Sequence, residues 1–213
     1  MEQYDVAVVG GGPIGCSVAE QLASKGRKVA VFEEHHTIGE PLHCAGLVTQ
    51  RVLEIARCPQ DGIVQNTIYG AIIHSPADSL LTIGGDKVHG LVINRQKFDL
   101  HIAQNAMNAG AVILRNQKVL AAKKQRVGFV LDIQHEEQTA PVSCQMIIGA
   151  DGAHSRMRDS FGFPKPVELL HGISAEMIET TLDPRYVHIF VGATIAPGFF
   201  AWVIPTNTQG TTA

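Results

Sequence analysis

DVAVVGGGPIGCSVAEQLASKGRKVAVFE, residues 5–33, decides the fold. It runs apolar strand, glycine turn, helix, apolar strand, then acid. Gly10, Gly12 and Gly15 stand at GxGxxG spacing. The first makes a tight turn, the second lets backbone approach a pyrophosphate, and the third brings helix close to strand. A helix that opens there aims free N–H groups and a positive dipole end at phosphates. Glu33 follows the second strand, where a carboxylate accepts both hydroxyls of an adenosine ribose. An acid at that point argues against a ribose 2′-phosphate, because the charges repel.

The spacing alone is weak evidence, since glycine-rich turns are common. Its context is also met. Val6–Val9 form a short buried strand, and Ile14, Val18, Ala19 and Leu22 recur at helical spacing. Gly26 is placed to end the helix, and Val29–Phe32 make a second buried strand. The plain alternative is a βαβ unit that holds no ligand. The fingerprint leaves open which dinucleotide binds.

Of 213 residues, 45% are hydrophobic and 17% charged, which is globular composition with room for one large or two small domains. The net charge of −3 offers no electrostatic footprint for nucleic acid. Four scattered cysteines form no CxxC pair, so a reducing, cytoplasmic setting is expected. From Tyr186 to Ala213 no residue is charged, a stretch long enough to span a bilayer. Gly192, Pro197, Gly198 and Pro205 interrupt it. Two buried strands, Val187–Val191 and Phe199–Ile204, fit better than a helix. No transmembrane segment is expected, which leaves peripheral contact at the inner membrane face open.

Between these ends, Thr49–Arg57 reads as a short helix. Thr67–His74, Leu80–Ile83 and Val88–Ile93 read as antiparallel strands that interrupt the βαβ pattern. A helix runs from an Asn94 cap to a Gly110 stop. Ala111–Leu114 with Val119–Ala122, Val127–Ile133 and Val142–Ile148 read as a meander. The expected architecture is α/β with α+β elements: a Rossmann-like domain, residues 1–65 and 95–165, carrying an inserted antiparallel-sheet domain, residues 66–94 and 166–213.

Four further stretches carry chemistry. In GADGAHSRMR, residues 149–158, Asp151 and Gly152 form a turn that Ser155 closes as a helix cap. Asp151 holds backbone N–H groups there or accepts from a ligand hydroxyl, and Arg156 and Arg158 are within reach of phosphates. The alternative is an Asx-type turn with two solvated arginines. Arg95 lies in the first turn of its helix, where a cation opposes the macrodipole at a cost of up to ~1 kcal/mol. An anion at that end removes the conflict; a solvated arginine tolerates it. The loop Gly39–Gly46 offers small residues for a flat ring, with His43 and Cys44 as acid–base groups. Its plain reading is a surface histidine and a small packed cysteine. The aromatic run PGFFAWVIP, residues 197–205, is the fourth.

Together these segments resemble the geranylgeranyl reductase family of FAD-dependent oxidoreductases, within the p-hydroxybenzoate hydroxylase fold. GGGPIG with Glu33 resembles its ADP-binding end, IGEPLHCAGLV (38–48) its flavin-side loop, and LVINRQKFD (91–99) its R-x-x-F-D helix start. IIGADGAHSRMR resembles the second flavoprotein fingerprint, and PGFFAWVIP the P-x-x-Y-x-W-x-F-P substrate motif, with Phe200 in place of Tyr and Ile204 in place of Phe. The resemblance implies an FAD site at Gly10, Gly12, Pro13, Gly15, Glu33, Cys44, Ala45, Gly46, Arg95, Val119, Asp151 and Gly152, with Asp99 carried over beside Arg95. It implies Phe199, Phe200, Trp202 and Pro205 at the substrate, and Cys44 and His43 as proton donors. No metal is implied.

The activity implied is saturation of prenyl double bonds in an isoprenoid or prenylated lipid by hydride from reduced flavin. The electron donor implied is external, NAD(P)H or ferredoxin-type. Three readings stay open: an aromatic monooxygenase of the same fold, a non-catalytic electron-transfer flavoprotein partner, and an NAD-dependent dehydrogenase. Family members carry a third, Gly-Asp cofactor motif further on. The chain is therefore expected to be an N-terminal fragment that binds FAD weakly alone, and yellow flavin retained at stoichiometry through gel filtration would refute that.

Overall fold

The computed structural model describes residues 2–42, 44–177 and 181–207. In chain order the elements are β1 (Gln3–Val9), α1 (Pro13–Ala23), β2 (Val29–Phe32), β3 (Leu47–Val48), α2 (Gln50–Ile55), β4 (Val64–Ile68), β5 (Gly70–His74), β6 (Leu80–Gly84) and β7 (Gly90–Ile93). There follow α3 (Arg95–Asn108), β8 (Val112–Leu114), β9 (Lys118–Lys124), β10 (Phe129–His135), β11 (Gln138–Gly149), α4 (Arg156–Phe161), β12 (Tyr186–Val191) and β13 (Phe200–Val203). The chain divides into two compact units, Met1–Pro41 with Asp99–Leu170 and Leu42–Phe98 with His171–Ala213.

The first unit is built on a six-stranded sheet in the order β8-β2-β1-β11-β10-β9. β8, β2, β1 and the second half of β11 run parallel, as the alternation of strand and helix demands. The four residues of β2 are all buried, the mark of a strand covered on both faces. Leu131, Phe32, Ala7, Ala30 and Ile133 form the core, with Tyr4 edge-on to Phe32. The meander comprises β9, β10 and β11 only. Val112–Leu114, grouped with it in the sequence reading, instead extends the parallel side beyond β2. The last turn of the meander is tighter than its composition suggests. It sits at Glu136, which takes φ 55°, and Pro141 is absorbed into β11 opposite Asp132.

β11 is twelve residues long and changes partner along its length. β10 pairs with it from Gln138 to Cys144, and β1 from Ser143 to Gly149. From Gln145 onward its side away from β1 has no ladder partner among the described residues. A groove of about 340 Å³ lies there, lined by Phe129, Ile147, Met157, Phe161 and Phe163.

The second unit holds two sheets, β3-β7-β4 and β13-β12-β5-β6. The expected single strand Thr67–His74 is two strands in two sheets. The break falls at Tyr69, whose N–H donates to the Arg185 carbonyl and whose carbonyl accepts from Gly85. Gly70 has no room for a side chain, since a Cβ would meet the Ile83 carbonyl. β5 is also parallel to β12, not part of a wholly antiparallel insertion. Residues 42–65 lie in this unit, because β3 and β4 both pair with β7. The charge-free region does form two antiparallel strands, β12 and β13. Among the described residues no helix is long and apolar enough to cross a membrane.

Asn66, His188 and Pro205 organise this unit's interior. The buried Asn66 amide donates to the carbonyls of Pro184 and Pro205, each at 2.8 Å. His74 Nε2 and His188 Nδ1 share a 2.9 Å hydrogen bond, and Phe190 stacks on His74. Burial, then the neighbouring His74, lowers the His188 pKa below the ordinary 6.5, with Asp183 opposing. The stability this confers is whole above pH ~6.5 and is lost as pH falls through the lowered value, since the unfolded chain takes up the proton first. Urea unfolding of the second unit is expected to show this decline in wild type and a flatter profile in His188→Gln.

Candidate functional site

The candidate cofactor residues divide between the two units. In the first unit the β1–α1 turn is held by glycines with different tasks. Gly10 takes φ 102°, and a Cβ there would run into the Ala150 carbonyl at the end of β11. A Cβ on Gly15 would run into the Gly10 carbonyl. Gly12, the N-cap of α1, is the opposite case: a Cβ there would have no neighbour within 4 Å. The first and third glycines thus serve protein packing, and the second fronts open space beside the helix N-terminus, ahead of Pro13.

Glu33 reaches back across this turn. Its Oε2 accepts the Gly11 N–H at 2.7 Å. Its Oε1 accepts the His35 N–H at 2.9 Å and faces His35 Nδ1 at 2.6 Å. A carboxylate offers about four lone-pair positions. Oε1 is filled and Oε2 keeps one, so a ribose hydroxyl can be accepted without breaking the grip on Gly11. The roles of Gly11 and His35 were not foreseen; the only sequence signal was the extra, middle glycine of the GGG run.

Glu34 beside it pairs with Lys118, which holds its carboxyl below the ordinary range; His35 and Arg156 add to this. The buried Cys16 thiol donates to the Gly11 carbonyl. Burial, then Glu33 and Asp99, push it up to about 12, so it stays an inert thiol.

At the second fingerprint the geometry decides Asp151's structural role. Its Oδ1 accepts from the Ser155 hydroxyl at 2.7 Å and its Oδ2 from the Met157 N–H at 3.0 Å. Ser155 Oγ in turn accepts the Arg158 N–H, the cap expected from the sequence. Arg158 folds inward, donating to the Ala153 carbonyl at 2.9 Å, while Arg156 is exposed. Gly152 takes φ 70° with open space where a Cβ would stand. Asp151→Ala removes two acceptors at one helix start, and a loss of about 1–2 kcal/mol in urea unfolding is expected. Val119, placed at the cofactor by resemblance, turns its side chain into the core of this unit.

In the second unit the loop before β3 is pinned to β7. Gly46 takes φ 77°, its carbonyl accepts the Ile93 N–H, and a Cβ there would collide with the Ile93 carbonyl. Ala45 packs against the core cluster of Ile68, Val92, Val187 and Ile204. Cys44 is exposed; Cys16, Cys58 and Cys144 are buried. His43 lies outside the described residues. Arg95 is the first residue of α3, capped as expected by Asn94, whose Oδ1 accepts the Lys97 N–H. Asp99, one turn on and grouped with the first unit, is buried.

The substrate candidates separate. Phe199 and Phe200 stack with centroids 4.4 Å apart, and Trp202 stands edge-on to both. All three are partly exposed, so they can meet an apolar ligand. Pro205 cannot: it is fully buried and anchors Asn66.

The FAD binding domain family matches residues 3–213. The chain belongs to the FAD binding domain family. Digeranylgeranylglycerophospholipid reductase of Thermoplasma volcanium is 32% identical over 96% of the chain and 54% of its own length. The enzyme of that name from Methanocaldococcus jannaschii is 29% identical over 95% and 52%. A solved geranylgeranyl bacteriochlorophyll reductase-like protein of Thermoplasma acidophilum superposes with a TM-score of 0.83 at 30% identity, covering 100% of this chain and 55% of that one. p-Nitrophenol 4-monooxygenase of Pseudomonas putida superposes at 0.73 with 17% identity, which shows the shared fold. The chain spans about half the length of the curated relatives it matches. As a member of the FAD binding domain family the chain has FAD as its cofactor. The open space at Gly12 and the spare lone pair of Glu33 suit the ADP end of that cofactor.

Proposed function

We propose that the protein reduces the prenyl double bonds of an isoprenoid lipid, a geranylgeranyl ether lipid being the best-matched substrate. The observation that carries this reading is the Phe199, Phe200 and Trp202 cluster: three partly exposed aromatic rings on, or directly before, a strand without charge. Polar substrates gain nothing there, whereas each buried isoprene methylene contributes about 0.8 kcal/mol. The match of the whole chain to reductases of digeranylgeranyl lipids supports the same class.

FAD, when bound and reduced, would supply the hydride that such a reduction needs. The chain's own task is to hold the alkene, keep water out and deliver a proton to one of its carbons. Gly12 and Glu33 would meet the ADP end, on a turn whose close packing Gly10 and Gly15 permit. Arg95, at the start of α3, offsets negative charge on the pyrophosphate. Ala45 and Gly46 form a small-residue loop suited to a flat ring. Cys44, exposed on that loop, is the proton donor we assign, with His43 as its alternate. An NAD(P)H- or ferredoxin-type donor would reduce the flavin.

The test is an anaerobic assay of the full-length protein with reduced flavin and digeranylgeranylglycerol phosphate. Mass spectrometry is expected to show successive gains of two hydrogens. An oxygen-dependent, hydroxylated aromatic product would replace this reading with a monooxygenase. Cys44→Ser, with normal flavin content, is expected to slow turnover; unchanged turnover would remove Cys44 from the mechanism.

A further inference from the structure

The sheet β13-β12-β5-β6 carries a row of apolar side chains that leads away from the aromatic cluster. Ile189 is the register partner of Trp202 on one side and of Ile73 on the other, and Ile73 partners Leu81. Directly paired residues project from the same sheet face. Trp202, Ile189, Ile73 and Leu81 therefore form one lateral row across all four strands. Three inter-strand spacings of about 4.8 Å make it about 14 Å long.

The neighbouring row on the same face is Val187, Ala71 and Ile83. At its inner end Val187 is buried with Ile68, Val92 and Ile204, and Ile189 packs against that cluster together with Ala45. One side of the Trp202 row is thus floored by core and borders the Ala45 loop, while Leu81 at its outer end is 58% exposed. None of the four strands contains Asp, Glu, Lys or Arg. His188 and His74 project from the opposite face.

We propose that this row is the subsite for the distal part of the isoprenoid chain, with Leu81 as the residue that reads chain length. The assignment rests on the reductase reading above and deepens it. It follows from continuity with the aromatic cluster, from the absence of charge and from a linear shape that suits one extended, methyl-branched prenyl chain. A short prenyl chain held at Trp202 does not reach Leu81; a long one does.

The experiment compares wild type, Leu81→Gln and Leu80→Gln of the full-length protein on digeranylgeranylglycerol phosphate and on its digeranyl counterpart. Leu80 is similarly exposed on the same edge strand but pairs with His74 on the other face, so it controls for effects of a new polar group on β6. Leu81→Gln is expected to raise KM about tenfold for the geranylgeranyl lipid alone, with kcat unchanged. Leu80→Gln is expected to change neither substrate. Equal effects on both lipids, no effect on either, or matching effects of the two variants would overturn the subsite while leaving the reductase reading intact. Failure of wild type to reduce either lipid would overturn both. Ile73→Trp, which fills the middle of the row, is expected to raise the geranylgeranyl KM and spare the digeranyl one.

Discussion

Gly15→Val in the full-length protein is expected to yield apoprotein that unfolds with at least about 3 kcal/mol less stability than wild type. The first atom added to Gly15 already meets the Gly10 carbonyl and lies against the Ala150 side chain. Neither neighbour can step aside. Gly10 is locked between β1 and the end of β11, its N–H donating to the Phe32 carbonyl, and Ala150 donates to Val9. The only relief is to lift α1 off the sheet, which opens the core and carries the phosphate-facing N–H groups away from the turn. Thermal unfolding and flavin content of the purified protein measure both consequences. A wild-type melting point with full flavin would refute the packing argument.

Glu33→Ala is expected to weaken FAD binding about 10- to 100-fold while leaving the fold largely intact. Two costs add. The buried Gly11 N–H loses its 2.7 Å acceptor, and a ribose hydroxyl loses the remaining lone pair. A hydrogen bond to a charged group contributes about 1.5–3 kcal/mol, which sets the range. Glu33→Gln is expected to fall between, since its amide oxygen can keep Gly11 but not the charge. Fluorescence titration of deflavinated protein with FAD is the measurement. Equal affinity in Glu33→Ala and wild type would remove Glu33 from the site.

Much of this was legible in the chain because local physics wrote it there. The glycine spacing, the apolar runs flanking it, the Asn94 and Ser155 caps and the Gly110 stop all depend on neighbours in sequence, and each stands where its residues indicate. What escaped reading depends on distant partners. Nothing in Thr67–His74 itself says that Tyr69 pairs with Arg185 and splits the run between two sheets. Val112–Leu114 has the composition of a meander strand and is claimed by β2 instead. Asn66 is unremarkable in sequence, yet it ties Pro184 to Pro205. The site shows the same division. The packing duties of Gly10 and Gly15 were readable, and so was Asp151's hold on backbone N–H groups as one of two readings, whereas the duty of Pro205 became visible only with its hydrogen bond.

The half-paired strand β11 has a consequence for handling the protein. Gln145–Gly149 offer a line of backbone donors and acceptors with no strand partner on this side among the described residues, Met146 on the strand is exposed, and the flanking groove exposes Phe163. An open edge of this kind is a template for any extended peptide, including the same stretch of another molecule. Residues 1–213 prepared alone are therefore expected to self-associate as concentration rises, through sheet-to-sheet growth and not through loss of fold. A charged residue placed at Met146, or a peptide able to lie along the edge, should keep the preparation monomeric in light scattering.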